Sequence, residues 1–375
     1  MKIVIAPDKF KNSLSGLEFC NAVEAGIRTI NKEADILKLP LADGGDGTIE
    51  VVNFYLKGEV VRLKVNNPFF KPVEATYLYA ETSKTAFIEM AEASGVKLLQ
   101  AHQLDCKNAT TLGTGEMIVD ALERGAETII LGIGGSATND CGIGMATALG
   151  YRFLDKNNNE VVPTGTNLSK IVAIEVTNVH PKISEVTFRV ACDVTNPLYG
   201  PHGAAYVYAA QKGATKEDIQ MLDQGLRSFS KTVQNVFGVE VQSIKGAGAA
   251  GGMGMASQVF LKGTLEPGIA LLKTLANFDE QIKGAGLIIT GEGKLDAQTF
   301  SGKTIHGVLG SAKKQHITVA ALCGSISLNS NEIKTLGIAY TDAVIDNAKS
   351  LGDAMQNSYA YVKKMAQKLA QNLLV

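Results

Sequence analysis

Six times along the chain a short run of β-branched and aliphatic residues breaks off into Gly, Asp, Asn or Ser. The six are "KIVIAPDKFKNS" (2–13), "ILKLPLADGGDGT" (36–48), "TIILGIGGSATND" (128–140), "FRVACDVTNPL" (188–198), "GLIITGEGKLD" (286–296) and "ITVAALCGSIS" (317–327). Runs of this length without polar alternation suit strands buried on both faces of a parallel sheet. Helical patterns lie between several of them. Residues 14–30 carry Leu14, Leu17, Val23 and Ile27 behind Ser13 or Ser15 as N-cap, 116–124 is a second candidate, and "YAYVKKMAQKLAQNLL" near the C-terminus is amphipathic. Strands alternating with helices predict an α/β architecture.

From Glu59 to Glu89 the texture changes to partial period-two alternation around an Asn-Pro turn, which predicts an antiparallel ribbon. A chain of 375 residues also exceeds the roughly 250–300 at which single cores stop growing. We therefore expect two domains, one made of 1–60 plus 281–375 and a second, 61–280, inserted into it.

Formal net charge is −1, with 36 basic against 37 acidic residues, so the one-sided basic footprint of a non-specific nucleic-acid binder is missing. Cys20, Cys106, Cys141, Cys192 and Cys323 are odd in number and far apart, which draws neither a disulfide framework nor a Cys-x-x-Cys metal pair. "MKIVIAPDKF" is too short an apolar run for a secretory leader, and no run approaches the ~18–20 residues of a membrane span. A cytoplasmic protein is the expectation.

In open parallel α/β sheets ligands bind beyond the carboxyl ends of the strands, where all six Gly/Asp-rich tails fall. Glycines let backbone N–H groups approach phosphate, and Asp or Glu can hold Mg²⁺. Each tail alone is explained as well by turn formation; six together are not. Gly302-Lys303-Thr304 is no P-loop, because Ala297 stands where that motif needs glycine. Gly132, Gly134 and Ala137 satisfy G-x-G-x-x-A, with Asp155 as a ribose-binding acid, so an NAD-dependent dehydrogenase of a small hydroxy acid is the rival. Against it, Asn139, Asp140, Gly142 and Gly144 sit where a helix should follow, at up to ~1 kcal/mol per glycine. "KGAGAAGGMGMA" (245–256) suits either a phosphate nest or close helix packing. The five histidines are dispersed and a Gly-x-Ser-x-Gly elbow is missing, so phosphoryl transfer, which needs positioning and charge rather than a dedicated nucleophile, fits best.

Nine segments, taken in order, resemble one family, the bacterial type 1 glycerate kinases. They are "MKIVIAPDKFKNSLS", "PLADGGDGTIEVV", "KTAFIEMAEASG", "GTGEMI", "GIGGSATNDCGIGM", "RVACDVTNPLYG", "QKGA", "GAGAAGGMG" and "ITGEGKLDAQT", and they span nearly the whole chain. The resemblance implies ATP-dependent phosphorylation of D-glycerate. It also implies a flavodoxin-like parallel-sheet domain, an inserted α/β domain of restriction-endonuclease-like topology, and a site between them. Three positions depart from the pattern: Lys9 where Ser is usual, Asp46 where Glu is usual, and Cys141 where Gly is usual.

On that basis the triphosphate is expected on Gly134, Gly135, Ser136, Thr138 and Asn139 and on Gly248, Gly251 and Gly252. Lys294 or Lys11 would offset γ-phosphate charge. Mg²⁺ would be carried by Asp43, Asp46 and Glu292, with Asp193 able to join them. Asp193 first, Asp8 second, would accept the glycerate hydroxyl proton. Arg189, Asn196 and Ser13 are the candidates for binding glycerate, with a structural ion pair as the competing explanation of Arg189.

Overall fold

The computed structural model describes every residue except 43–47, 298, 300–303, 374 and 375. The chain divides into two compact units, Met1–Tyr55 with Pro267–Val375, and Leu56–Glu266. The second crossing falls well before the 280 expected from sequence. The helices Gly268–Leu275 and Phe278–Gln281 belong with the first unit, where Ile269 packs against Gly307 and the Gln315 side chain donates to the Asp279 carbonyl at 2.7 Å.

Among the described residues, the first unit holds a five-stranded, all-parallel sheet. Its spatial order is Tyr340–Ala343, Thr318–Cys323, Ala285–Thr290, Lys2–Ile5, Asp35–Lys38. Numbered along the chain this is 2-1-3-4-5, the order of flavodoxin-like sheets, which reverses between the first and third strands. Each of the four strands read from sequence ends within two residues of a proline or glycine: Pro7, Pro40, Gly291 and Gly324. The helix Gly16–Ile27 begins two residues later than the apolar pattern, because Ser15 is its N-cap: Ser15 Oγ accepts from the Glu18 amide at 3.2 Å, and the Glu18 carboxylate accepts from the Ser15 amide at 2.8 Å. Its buried face, Phe19, Val23 and Ile27, shares a core with Val362, Met365 and Leu369 of the helix Ser358–Leu373. Gly26 makes that packing possible, since a Cβ there would lie 2.3 Å from the Lys363 carbonyl.

The second unit holds a six-stranded mixed sheet. Its order is Thr264–Glu266, Thr187–Ala191, Thr128–Gly132, Thr85–Glu89, Pro72–Ala80, Glu59–Asn66. The last three strands form the antiparallel ribbon expected from their alternation, and the first four run parallel. Ile88, Ile129, Leu131 and Val190 are fully buried in its core, as unalternated runs require. Two of the Gly-rich tails, after Gly132 and after Ala191, leave neighbouring parallel strands at the same end of this sheet.

Candidate active site

In the first unit Asp8 follows the first strand and Glu292 follows the third, so both carboxylates stand where the strand order reverses. Asp8 is buried; its Oδ1 accepts from the Lys9 amide at 2.7 Å and its Oδ2 from the Thr304 hydroxyl. Glu292 is buried as well and accepts from the Thr299 hydroxyl at 2.6 Å. The loop carrying it is fixed by a two-residue parallel pairing of Lys294–Leu295 with Ser325–Ile326, and by a bond from the Gly324 amide to the Glu292 carbonyl at 3.1 Å. An open cavity of about 240 Å³ is lined by Asp8, Lys9, Asn12, Ser13 and Glu50 among others.

Lys11 is exposed and lines a second cavity with Gly293 and Ser325. Lys294 is exposed, 3.5 Å from the Asp296 carboxylate. Ser13 is tied down: its hydroxyl lies 2.6 Å from Ser358 Oγ and donates to the Met355 carbonyl at 3.0 Å, an anchor for the C-terminal helix rather than a waiting ligand. Asp43 and Asp46 lie outside the described residues. Among those described, no three His, Cys, Asp or Glu side chains converge as a metal cage. Mg²⁺ needs fewer, commonly one or two carboxylates completed by substrate phosphates and water, and the buried carboxylate of Glu292 is of that kind.

In the second unit the stretch 133–142 forms an irregular loop between the strand Thr128–Gly132 and the short helix Ile143–Ala148. The G-x-G-x-x-A match therefore opens no helix, and Asp155 accepts from the amides of Asn157 and Asn159 as a turn former. Gly134 and Gly135 are exposed, Gly135 with φ +68°, whereas Ser136 to Asp140 are buried. The amides of Ala137, Asn139 and Cys141 are already committed to the carbonyls of Ser94, Cys106 and Gly251. Those three amides are therefore not available to a ligand, and the exposed part of the loop is its Gly134–Gly135 turn.

Asp140 does not face a ligand. It accepts from the Thr111 amide and hydroxyl at 2.8 and 2.7 Å and from the amides of Gly142 and Gly144, so it is the strut that shapes the loop. Burial pushes its carboxyl up, and these donors oppose the shift. Cys141 is fully buried with φ +55°, and burial raises its thiol well above the ordinary range, so it is inert packing. The family's glycine there is the residue that left-handed backbone favours.

The glycines of "GAGAAGG" are explained by packing. A Cβ on Gly248 would lie 2.2 Å from the Pro197 carbonyl, one on Gly251 2.2 Å from the Thr138 carbonyl, and one on Gly252 2.7 Å from Cys141 Cα. Ala250, Gly251 and Gly252 are all left-handed. No space for a triphosphate is needed to account for them. Arg189 makes a bidentate pair with Glu266 on the adjacent strand, 2.7 and 2.8 Å, which occupies its fork and holds its guanidinium charged. Both ends of the Asn196 amide are engaged, to the His202 carbonyl at 2.9 Å and the Tyr208 hydroxyl at 2.6 Å. Asp193 is exposed on the loop that follows.

Sequence reasoning passed over Lys212. It lies buried beneath the Gly-rich loop, donating to Ser136 Oγ at 2.5 Å and to the Thr138 carbonyl at 2.9 Å. Its only trace in sequence was its place in "QKGA". Thr304 and Thr299, the hydroxyls that orient Asp8 and Glu292, were also missed, because neither residue type nor spacing marks them.

Buried carboxylates where the first unit's parallel sheet reverses, and a Gly-rich loop over a buried ammonium in the second unit, are marks of an α/β enzyme. The model of the glycerate kinase family matches residues 3–374. A glycerate kinase of Bacillus subtilis is 41% identical over 373 residues, covering 100% of this chain and 98% of its own. Glycerate 2-kinase of Escherichia coli is 40% identical over 375 residues, with the same coverage. A crystal structure from Salmonella typhimurium LT2, assigned to glycerate kinase 2, superposes with a TM-score of 0.91 at 40% identity, covering 100% of this chain and 98% of that one. The chain belongs to the glycerate kinase family, and it is a kinase. The dehydrogenase alternative finds no support among these relatives. Among the described residues no helix is long and apolar enough to cross a membrane.

Proposed function

We propose that this enzyme transfers the γ-phosphoryl group of ATP to a hydroxyl of D-glycerate, with Mg²⁺ bound. The observation that carries the proposal is the pair Asp8 and Glu292 at the reversal point of a chain whose full-length relatives bear the name glycerate kinase. Both substrates are anions, so their approach is repulsive unless charge is offset. Glu292 fits a metal-bearing role, and Asp43 and Asp46 remain candidates by sequence. Bound Mg²⁺ would neutralise charge developing on the transferring phosphates.

Asp8 is the better candidate for general base. Its carboxylate is held by two hydrogen bonds in a buried setting, whereas Asp193 stands exposed on an irregular loop. Orientation of this kind is what a base needs to meet a substrate hydroxyl. Lys11 and Lys294, both exposed, can swing toward the γ-phosphate. The Gly134–Ser136 end of the second unit's loop would take nucleotide phosphate.

The test is ADP release measured by a coupled assay with D-glycerate present and absent. Release dependent on both D-glycerate and Mg²⁺ is expected; release indifferent to D-glycerate sinks the proposal.

A further inference from the structure

Among the described residues Lys212 is a buried cation with no carboxylate bonded to it. It is 5% exposed, and its two acceptors, Ser136 Oγ and the Thr138 carbonyl, are neutral. Among the described residues no carboxylate pairs with it, and the oxygens of nearby Asp140 are spent on Thr111, Gly142 and Gly144. Such a charge is costly to keep unless something compensates it.

The backbone around Lys212 is built to hold it there. Its carbonyl accepts from the Cys106 amide at 3.1 Å, and the next residue, Gly213, has φ +91° with no room for a Cβ, which would lie 2.0 Å from the Leu104 carbonyl. Within three residues of Ser136 lie further unpaired groups: Thr138 Oγ1, Asn139 Nδ2 and Asn139 Oδ1 are buried and make no hydrogen bond. A native protein rarely leaves so many buried polar atoms unsatisfied unless a ligand, ion or water completes them.

We infer that Lys212, reaching up to Ser136 beside the exposed Gly134–Gly135 turn, is the cation that receives a nucleotide phosphate at this loop. The inference rests on the proposal that the loop takes nucleotide. Phosphate is the chemistry that fits, because an ammonium serves phosphate as a point charge, whereas a planar carboxylate is better matched by arginine's fork. The glycine turn gives access, and Thr138 and Asn139 supply a donor and acceptors to settle around the bound group.

Burial pushes the Lys212 ammonium down to about 8, opposed by Cys106 and Asp140, the ionisable groups that act on it. A phosphate bound beside it would raise that value. Nucleotide affinity is then level below pH about 8 and falls as pH rises through it, approaching tenfold per unit, with a proton taken up on binding there.

The experiment uses the full chain with ADP and, separately, D-glycerate as probes. Lys212→Met keeps the side chain's length and removes its charge. The expected result is an unliganded Tm that is not lowered, because a buried charge replaced by an apolar group of similar volume is often neutral or stabilising. The ADP-induced rise in Tm should vanish, KM for ATP should rise on the order of tenfold or more, and KM for D-glycerate should stay within about threefold, the scale of losing one charge-assisted contact. Lys212→Arg should restore part of the ADP effect. A lowered Tm with the ADP shift intact makes Lys212 structural and overturns the inference, as does loss of the D-glycerate effect in place of the ADP effect. An ADP shift missing from the wild-type protein overturns the nucleotide assignment itself, whereas equal shifts in both proteins overturn only the role of Lys212. Should the variant not fold, calorimetry of ADP binding to the wild-type protein at pH 8.5 in two buffers decides: proton uptake is expected, and none overturns the inference.

Discussion

The amide of Asp8 donates to the carbonyl of Gly291 at 2.8 Å, tying the end of the first strand to the end of the third. Asp8 and Glu292 are therefore held in register by the sheet itself, Asp8 at that bond and Glu292 one residue beyond it. A base fixed in this way loses little order if its charge is removed. Asp8→Asn keeps an acceptor for the Lys9 amide and offers a donor to Thr304, whose hydroxyl can turn to accept. We expect kcat to fall on the order of 10²-fold or more with Tm nearly unchanged, the range for loss of a general base. Asp193→Asn is the control, and the larger loss of the two marks the base. Steady-state kinetics beside a thermal melt checks this, and near-normal turnover in both variants removes the base assignment from these two residues.

Arg189 should behave as a structural residue. Its pair with Glu266 is bidentate and mostly sheltered, the side chains 23% and 19% exposed. Arg189→Met leaves the Glu266 carboxylate unpaired, at a cost of about 1–2 kcal/mol, below that of a fully buried pair. Arg189→Met with Glu266→Gln should recover much of that loss. KM for D-glycerate should stay within about threefold in both, since losing a bidentate carboxylate contact would cost tenfold or more. Denaturant titration and substrate saturation curves report the two effects separately.

What was legible in the sequence was whatever local chemistry fixes. All six apolar runs became strands, and those at Lys2–Ile5, Thr128–Gly132, Ala285–Thr290 and Thr318–Cys323 are buried nearly throughout, as unalternated Val, Ile and Leu require, whereas Asp35–Lys38 is a half-exposed edge strand. Their tails marked strand ends because Gly and Asp break such runs. The cap of the first helix was readable only as Ser13 or Ser15, and the structure chooses Ser15, whose partner Glu18 is three residues away. What was not legible depends on neighbours distant in sequence. Arg189 meets Glu266 only because two strands 77 residues apart lie side by side. Gly251 is needed because the Thr138 carbonyl presses on it, and a glycine needed for packing looks the same in sequence as one needed for phosphate. Lys212 was invisible for the same reason: burial of a lysine is decided by what folds over it.

The packing account of Gly251 predicts a sharp contrast with another glycine. Gly251→Ala forces a Cβ to within 2.2 Å of the Thr138 carbonyl at φ +71°, with backbone on the far side that cannot yield. We expect a loss of several kcal/mol, at the upper end for single substitutions. Gly310, exposed in the helix Thr304–Lys314 with nothing within 4 Å of where a Cβ would stand, should tolerate the same change. Gly310→Ala should stabilise by up to about 1 kcal/mol through helix propensity. Chemical denaturation of the two variants provides the comparison. A mild Gly251→Ala with nucleotide binding lost would return the "GAGAAGG" loop to the phosphate site.

The position of phosphorylation depends on where the charge of the substrate can be offset. In D-glycerate the 2-hydroxyl adjoins the carboxylate and the 3-hydroxyl is one carbon further away. A base that reaches the inner hydroxyl therefore works beside a second negative charge, and it needs cations close at hand to offset the repulsion. Lys9, half-buried, would supply one, being next to Asp8 and lining the same cavity. If Asp8 is the base, Lys9 beside it would offset the charge at the 2-hydroxyl, so we expect 2-phosphoglycerate as the product. Phosphorus NMR of the reaction mixture distinguishes the isomers directly. Lys9→Ser, which restores the residue usual at this position in the family, tests the role of the charge: KM for D-glycerate should rise by about threefold to tenfold, and the isomer formed should not change. A 3-phosphoglycerate product would place the base nearer the outer hydroxyl and remove the reason for a cation at Lys9.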